Sequence, residues 1–139
     1  MRHLKRSILA LALLLAASAP GLAQRADEGG VVVRRPSFMR HLVSAERLAA
    51  VRRAIGEDVE LLIDANNGYY AKQAIRMARE FEGYNVGWFE EPVLADDIEG
   101  LAAVARETTI PIATGEHEYT KYGFKDLIAR GAVDIVQPD

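Results

Sequence analysis

The stretch VGWFEEPV, residues 86–93, is an apolar segment that ends in two adjacent carboxylates and a proline. Val86, Trp88 and Phe89 suit a buried strand, whereas carboxylates resist burial unless a partner offsets their charge. The same ending, an apolar run followed by an acidic residue, recurs in LLIDAN, ATGEHE and IVQPD. The acidic residues at these four positions are Asp64, Glu90, Glu116 and Asp139. The recurrence predicts one structural unit repeated along the chain.

Amphipathic segments separate these apolar runs. AKQAIRMAREFEG, residues 71–83, has its apolar side chains at helical spacing and ends in glycine. Ser44 is a predicted N-cap and Gly56 a predicted C-terminal stop for an earlier helix, and Asp96 with Glu99 forms a capping-box pattern for a later one. The order is one helix, then three strand–helix units, then a last strand. Near-continuous apolar strands that alternate with helices predict an α/β fold with about four parallel strands and covering helices.

Composition narrows the function classes. The chain has 139 residues, enough for one ordinary domain, and half of them are hydrophobic. A net charge of −3 gives no sign of a nucleic-acid-binding surface. The absence of cysteine excludes a disulfide framework and a cysteine-based metal site.

The amino-terminal residues differ from the rest. Residues 1–23 combine a basic start, an apolar run and small residues around a possible cleavage point, which is the plan of a secretory signal peptide. The alternative is a mis-assigned start joined to a cytosolic sequence. Residues 24–43 are interpreted as a linker or disrupted junction, with at most a short strand at 31–33, and residues 44–139 as the folded domain. A functional leader predicts a periplasmic or secreted protein without a membrane anchor after cleavage; otherwise the protein is cytoplasmic.

Carboxylates at the ends of neighbouring parallel strands converge on one rim of the fold, which in α/β barrels carries the active site. Converging carboxylates repel one another, and a hard divalent cation such as Mg²⁺ offsets that repulsion through oxygen ligands. The spacing therefore predicts a metal site. Simpler roles stay open: Asp64 could cap a turn, Glu90 or Glu91 the next loop, and Glu116 could pair with Lys121.

Together, LLIDANNGY, WFEEPVLADD, ATGEHEYTKYGF and DIVQPD resemble the barrel domain of the enolase superfamily, in its mandelate racemase and muconate lactonizing enzyme branch. The resemblance is strongest to the acid-sugar dehydratases, covers residues 44–139 and implies part of a (β/α) TIM-type barrel. It implies that Asp64, Glu90 and Glu116 bind Mg²⁺. Glu91 is then expected at the rim or behind the ligands.

The resemblance also implies a reaction and further site residues. The chemistry is abstraction of the proton α to a carboxylate, with Mg²⁺ stabilising the enediolate. Loss of a β-hydroxyl then gives a 2-keto-3-deoxy acid, and reprotonation on the other face gives racemisation or epimerisation. Asn66 falls near metal and substrate, and Asp139 falls on the aspartate that orients a catalytic histidine. His117 is expected as a polar substrate contact rather than as the base.

The sequence departs from the family pattern in its bases. The family's bases form a Lys-x-Lys pattern on its second strand, and the corresponding region of this sequence reads VVVRRPSF, with Arg34 and Arg35 and no lysine. Arginine stays protonated at neutral pH. The histidine of the seventh strand would fall after Asp139. A truncated fragment of a lyase or isomerase is the first interpretation. The others are a half-barrel that closes as a homo-oligomer and an inactive metal-binding remnant. If the protein is an enzyme, its expected partner is an acid-sugar carboxylate and not a nucleic acid.

Overall fold

The computed structural model describes residues 43–138. Several of the sequence predictions fall outside the described residues. They are the signal peptide, nearly all of the linker, the short strand at 31–33, Arg34, Arg35 and Asp139. Within the described residues, no helix is long and apolar enough to cross a membrane.

Helices and strands alternate along the described chain in the predicted order. The elements are α1 (Ala45–Ile55), β1 (Leu61–Asp64), α2 (Ala71–Phe81), β2 (Val86–Glu90), α3 (Ile98–Glu107), β3 (Ile112–Thr114), α4 (Lys121–Ala129) and β4 (Ile135–Val136). A 3₁₀ turn, Glu82–Tyr84, follows α2 directly. The alternation of apolar runs with amphipathic segments therefore predicts the order of the four helices and four strands, whereas the 3₁₀ turn was not predicted.

The four strands form one parallel sheet in the order β1-β2-β3-β4, which confirms the predicted α/β class. Ile63 pairs with Phe89, and Phe89 pairs with Ile112, so these three side chains share one face of the sheet. They are buried, and Phe81 of α2 packs edge-on against Phe89 with ring centroids 5.6 Å apart. Leu101 of α3 belongs to the same buried core. The core accordingly lies on one side of the sheet.

Side chains alternate between the two faces of a strand, so the residues next to these core positions face the other way. Asp64 is the Cα partner of Glu90, directly after the buried pair of Ile63 and Phe89. Asp64 is exposed and Glu90 half-buried. The two strand-end carboxylates thus share the face that the described helices leave open.

The predicted helix ends are correct for α1 and wrong by one residue for α3. Ser44 caps α1 with its hydroxyl, and Gly56 ends it with a φ of 76°. The α3 N-cap is Asp97, whose carboxylate accepts the backbone N–H of Gly100 at 2.9 Å, and not Asp96. A turn closed by the Asp97 N–H and a carbonyl three residues earlier moves the helix start one residue along the chain.

A buried arginine joins three segments at the amino end of the strands. Arg52 of α1 is only 6% exposed. Its guanidinium donates to the carbonyls of Gly56, Val59, Tyr84 and Asn85 at 2.7–3.1 Å. These bonds hold the end of α1, the loop before β1 and the start of β2 together.

Candidate functional site

Each of the first three strands is followed by a residue in the left-handed region of backbone space. These residues are Asn66 and Asn67 after β1, Glu91 after β2 and Gly115 after β3, with φ values of 44°, 60°, 39° and 141°. Non-glycine residues rarely adopt this conformation, because Cβ then crowds the backbone. The chain therefore turns sharply at three neighbouring strand ends, which brings the residues after the strands to one rim.

Gly115 is required at its position. A Cβ atom there would lie 2.8 Å from the Gln137 carbonyl oxygen and 2.9 Å from the ring of Phe124, and its φ of 141° is unsuited to other residues. The close approach to β4 positions the following residue, Glu116, just beyond the end of β3.

The carboxylates of Asp64 and Glu90 each contact a near neighbour in sequence. Asp64 Oδ1 accepts the backbone N–H of Asn66 at 2.7 Å, the turn-capping role considered for it from the sequence. Glu90 Oε2 accepts the indole N–H of Trp88 at 3.1 Å, on the same face of β2. Both groups lie at adjacent strand ends, and neither contact prevents an oxygen from meeting a cation.

Glu116 and His117 occupy the exposed part of the rim after β3. Oε1 of Glu116 lies 3.9 Å from Nδ1 of His117, whose side chain is 51% exposed. Among the described ion pairs Glu116 contacts His117 and not Lys121, the partner considered from the sequence. The Glu91 carboxylate raises the pKa of His117, first by its hydrogen bond and then by its charge, and Glu116 adds a smaller effect.

Glu91 is the most enclosed of the acidic groups at this rim. It is 1% exposed, and both of its oxygens accept hydrogen bonds at 2.7 Å, Oε1 from His117 Nδ1 and Oε2 from Asn67 Nδ2. The Asn67 side-chain oxygen in turn accepts the backbone N–H of Ala95 at 2.8 Å. The Glu91 side chain is therefore buried beneath the exposed side chains of Glu116 and His117, and its expected place behind the metal ligands stays a prediction.

The structure brings together a different trio from the predicted metal ligands. Within residues 43–138, the set of three carboxylate and imidazole groups whose ligand atoms lie within 4.8 Å of one another is Glu91, Glu116 and His117. The predicted set of Asp64, Glu90 and Glu116 shares the rim without such close contact, and its role in metal binding stays a prediction. Both oxygens of Glu91 and Nδ1 of His117 already engage in hydrogen bonds, so the compact trio is better explained as a hydrogen-bonded pair, Glu91 and His117, with Glu116 3.9 Å from the imidazole.

Asn67 is a site residue that the sequence did not single out. The predicted substrate contact was Asn66, which is exposed and donates its backbone N–H to the Asp64 carboxylate. Its neighbour bridges Glu91 and Ala95 through its side chain. Two consecutive residues with positive φ break the alternation of a strand, so the sequence gives no local signal to choose between them.

The donor atoms at the rim fit a hard divalent cation. Asp64 and Glu90 are register partners on the open face, and Glu116 follows the third strand of the same sheet. All three offer carboxylate oxygens, which Mg²⁺ prefers, and two of them are exposed and one half-buried. Asp139, the remaining predicted site residue, lies outside the described residues.

Comparison with known proteins agrees with this architecture. A family model described as enolase C-terminal domain-like matches residues 32–139. The chain is 45% identical over 92 residues to the D-galactarolactone cycloisomerase of Agrobacterium fabrum, covering 66% of this chain and 24% of that protein. It is 43% identical over 94 residues to the arabinonate dehydratase of Saccharolobus solfataricus, covering 68% and 25%.

A solved structure gives the same result in three dimensions. The L-talarate dehydratase of Polaromonas sp. JS666, crystallised with Mg and L-glucarate, superposes with a TM-score of 0.66 at 44% identity. The match covers 68% of this chain and 26% of that one. The chain spans about a quarter of the length of the curated relatives it matches.

Proposed function

Because the chain belongs to the enolase C-terminal domain-like family, we propose that it forms part of the barrel of a magnesium-dependent enzyme acting on acid sugars. The proposed reaction is removal of the proton α to the substrate carboxylate. Dehydration to a 2-keto-3-deoxy acid is the favoured outcome, because dehydratases of sugar acids recur among the relatives. Racemisation or epimerisation is the alternative outcome from the same intermediate.

One observation carries the metal-binding part of this proposal. Three neighbouring parallel strands end at one rim. The strands β1 and β2 end in the carboxylates of Asp64 and Glu90, and Glu116 follows the last residue of β3 by two positions. The pairing of Asp64 with Glu90 makes these two groups lateral neighbours on the open face. Such a row of like charges is unfavourable unless a cation lies among the oxygens.

The chain's own residues have distinct tasks in this site. Asp64, Glu90 and Glu116 would hold Mg²⁺, which when bound stabilises the negative charge that develops on the substrate carboxylate. His117, exposed beside Glu116, offers a polar contact to a substrate hydroxyl or carboxylate. Asn66, exposed after β1, offers another.

Calorimetric titration of the full chain with Mg²⁺ tests the ligand assignment. Glu90→Gln keeps the shape of the side chain and removes its charge, so the Mg²⁺ affinity is expected to fall at least tenfold. Glu80→Gln, the same change at an exposed position on α2, is the matched control and should bind Mg²⁺ like the wild type. Equal affinities for wild type and Glu90→Gln would overturn the assignment.

A second function, metal binding without turnover, is favoured by one feature of the sequence. The region in which the family's Lys-x-Lys pattern is expected contains Arg34 and Arg35 and no lysine, and an arginine does not lose its proton at neutral pH. Incubation of the chain with Mg²⁺ and aldonic or aldaric acids separates the two functions. Formation of 2-keto acid supports the enzyme, and Mg²⁺ binding without product supports the binding module.

Export and self-association complete the proposal. Residues 1–23 have the plan of a cleaved leader, so protein recovered from the periplasm should begin near Gln24. Full-length protein confined to the cytoplasm would contradict export.

The outer edges of β1 and β4 have no strand partner among the described residues, and exposed sheet edges favour pairing with a second copy.

A further inference from the structure

Glu91 combines three features that rarely occur together. It has a φ of 39° although it is not glycine, it precedes a proline, and its side chain is 1% exposed. A left-handed backbone at such a residue costs free energy and persists only where surrounding contacts hold it. A buried carboxylate is also unfavourable unless it is fully hydrogen-bonded. The contacts around Glu91 must therefore be strong enough to offset both costs.

Those contacts join the loops after three successive strands. The Glu91 backbone N–H donates to the Ala113 carbonyl of β3 at 3.0 Å, and the Glu91 carbonyl accepts the Asn67 N–H at 2.9 Å. The side chain binds Asn67 again through Oε2 and binds His117 through Oε1, both at 2.7 Å. One residue of the β2 loop thus holds both neighbouring loops.

The direction of the hydrogen bond to His117 follows from the chemistry of the partner. A carboxylate oxygen accepts hydrogen bonds, so the contact with Glu91 requires a hydrogen on Nδ1 of the imidazole. This fixes the orientation of the ring, whose side chain is 51% exposed, and leaves Nε2 outside the contact. Since His117 directly follows Glu116, holding the ring also restrains the backbone that carries the Glu116 carboxylate.

We propose that Glu91 is a positioning residue: by binding Asn67 and His117 it sets the separation of the strand-end loops and thereby places Glu116 for Mg²⁺. The adjacent residues of the EEP sequence then have different tasks, Glu90 on the open face as a ligand and Glu91 beneath the rim as its organiser. This inference rests on the proposed magnesium site, because it assigns Glu91 a role toward a ligand of that site.

Two measurements on the full chain test the proposal. The first is the Mg²⁺ dissociation constant by calorimetry for wild type, Glu91→Gln, His117→Gln and the double variant. Partners that orient metal ligands typically contribute 10–100-fold to affinity, so each single variant should weaken Mg²⁺ binding about tenfold. The double variant should weaken it by little more than either single one, because the two residues act through the same contact. Glu80→Gln again serves as the charge-matched control.

The second measurement is the tautomer of His117, observed through the ring nitrogens by NMR without metal, at one fixed pH high enough that the ring is neutral in every variant. In the wild type Nδ1 should carry the hydrogen, and in Glu91→Gln the population should shift toward the Nε2–H form. A residue that only stabilised the fold would lower the fraction of binding-competent molecules and leave the tautomer of His117 in the folded fraction unchanged.

The two measurements separate the inference from the function on which it rests. If wild type and Glu91→Gln bind Mg²⁺ equally, the positioning role is overturned and the metal site stands. If wild type fails to bind Mg²⁺ but the tautomer changes in Glu91→Gln, the metal site is overturned and the hold of Glu91 on His117 stands. If the wild type fails to bind Mg²⁺ and the tautomer of His117 is the same in Glu91→Gln as in the wild type, the metal site and the hold of Glu91 on His117 are both overturned.

Discussion

Replacing Arg52 with methionine should be among the most destabilising single changes in the described chain. The side chain is 6% exposed, and its guanidinium is the common donor to four backbone carbonyls from three segments. Methionine keeps much of the apolar volume and removes every donor. The four carbonyls then lose their charged donor, and the end of α1, the loop before β1 and the start of β2 lose the side chain that joins them.

The size of the effect follows from these contacts. At about 1 kcal/mol of net stability for each hydrogen bond, four bonds give about 4 kcal/mol. That is a large share of the 5–15 kcal/mol, roughly, by which folded domains are stable. Arg52→Lys should lose about half as much, because a single ammonium lacks the planar fork that reaches both pairs of carbonyls.

Urea unfolding of the full chain, followed by tryptophan fluorescence, measures these differences. Arg53→Met is the matched control, since it makes the same change one residue along α1 at an exposed position. It should alter the free energy of unfolding by no more than about 0.5 kcal/mol. If the variants at positions 52 and 53 lose similar stability, the four-carbonyl network contributes little and the reasoning is wrong.

Two further predictions concern the loop before β3 and the turn after it. Glu82 accepts hydrogen bonds from the Thr109 N–H and hydroxyl, and these bonds lower the pKa of the Glu82 carboxyl in the folded protein. The stability that Glu82 contributes is therefore present above the pKa of the unfolded chain and is lost as the pH falls through the lower pKa of the folded protein. Glu82→Gln should therefore be destabilised at pH 7 relative to wild type, with a difference that shrinks in acid unfolding experiments. Gly115→Ala should lose about 2 kcal/mol or more, because strained backbone of this kind costs roughly 1–3 kcal/mol and the added Cβ would also meet the Gln137 carbonyl oxygen at 2.8 Å. Gly83→Ala, where a Cβ meets nothing within 4 Å, should unfold at the wild-type urea concentration; equal losses at both glycines would contradict the steric argument.

The parts of the fold that depend on local pattern could be predicted from the sequence. Strand positions follow from short apolar runs, and helix positions from apolar spacing with Ser44 and Gly56 as end signals. The start of α3 could not be placed exactly, because Asp96 and Asp97 are equivalent as capping residues until the preceding turn selects one of them. Local pattern therefore gives the elements, and their ends depend on tertiary contacts.

The site divides in the same way. The carboxylates at the strand ends were visible because each interrupts an apolar run, and the register of Asp64 with Glu90 agrees with that prediction. The roles of Glu91 and Asn67 were not visible, because their hydrogen bonds join residues 24 and 26 positions apart. They depend on positive φ values, which reverse the direction expected for a side chain from strand alternation.

The direction of the strands explains why the buried carboxylate of Glu91 and the buried guanidinium of Arg52 lie at opposite ends of this sheet. In a parallel arrangement every helix begins near the carboxyl ends of the strands and finishes near the amino ends. Helix N-termini carry partial positive charge and C-termini partial negative charge, so anions are favoured at the first end and cations at the second. Glu91 binds N–H donors where α2, α3 and α4 are about to begin, and Arg52 binds carbonyls where α1 has just ended. The same polarity favours a row of carboxylates at the rim, so the fold supports the placement on which the proposed magnesium site depends.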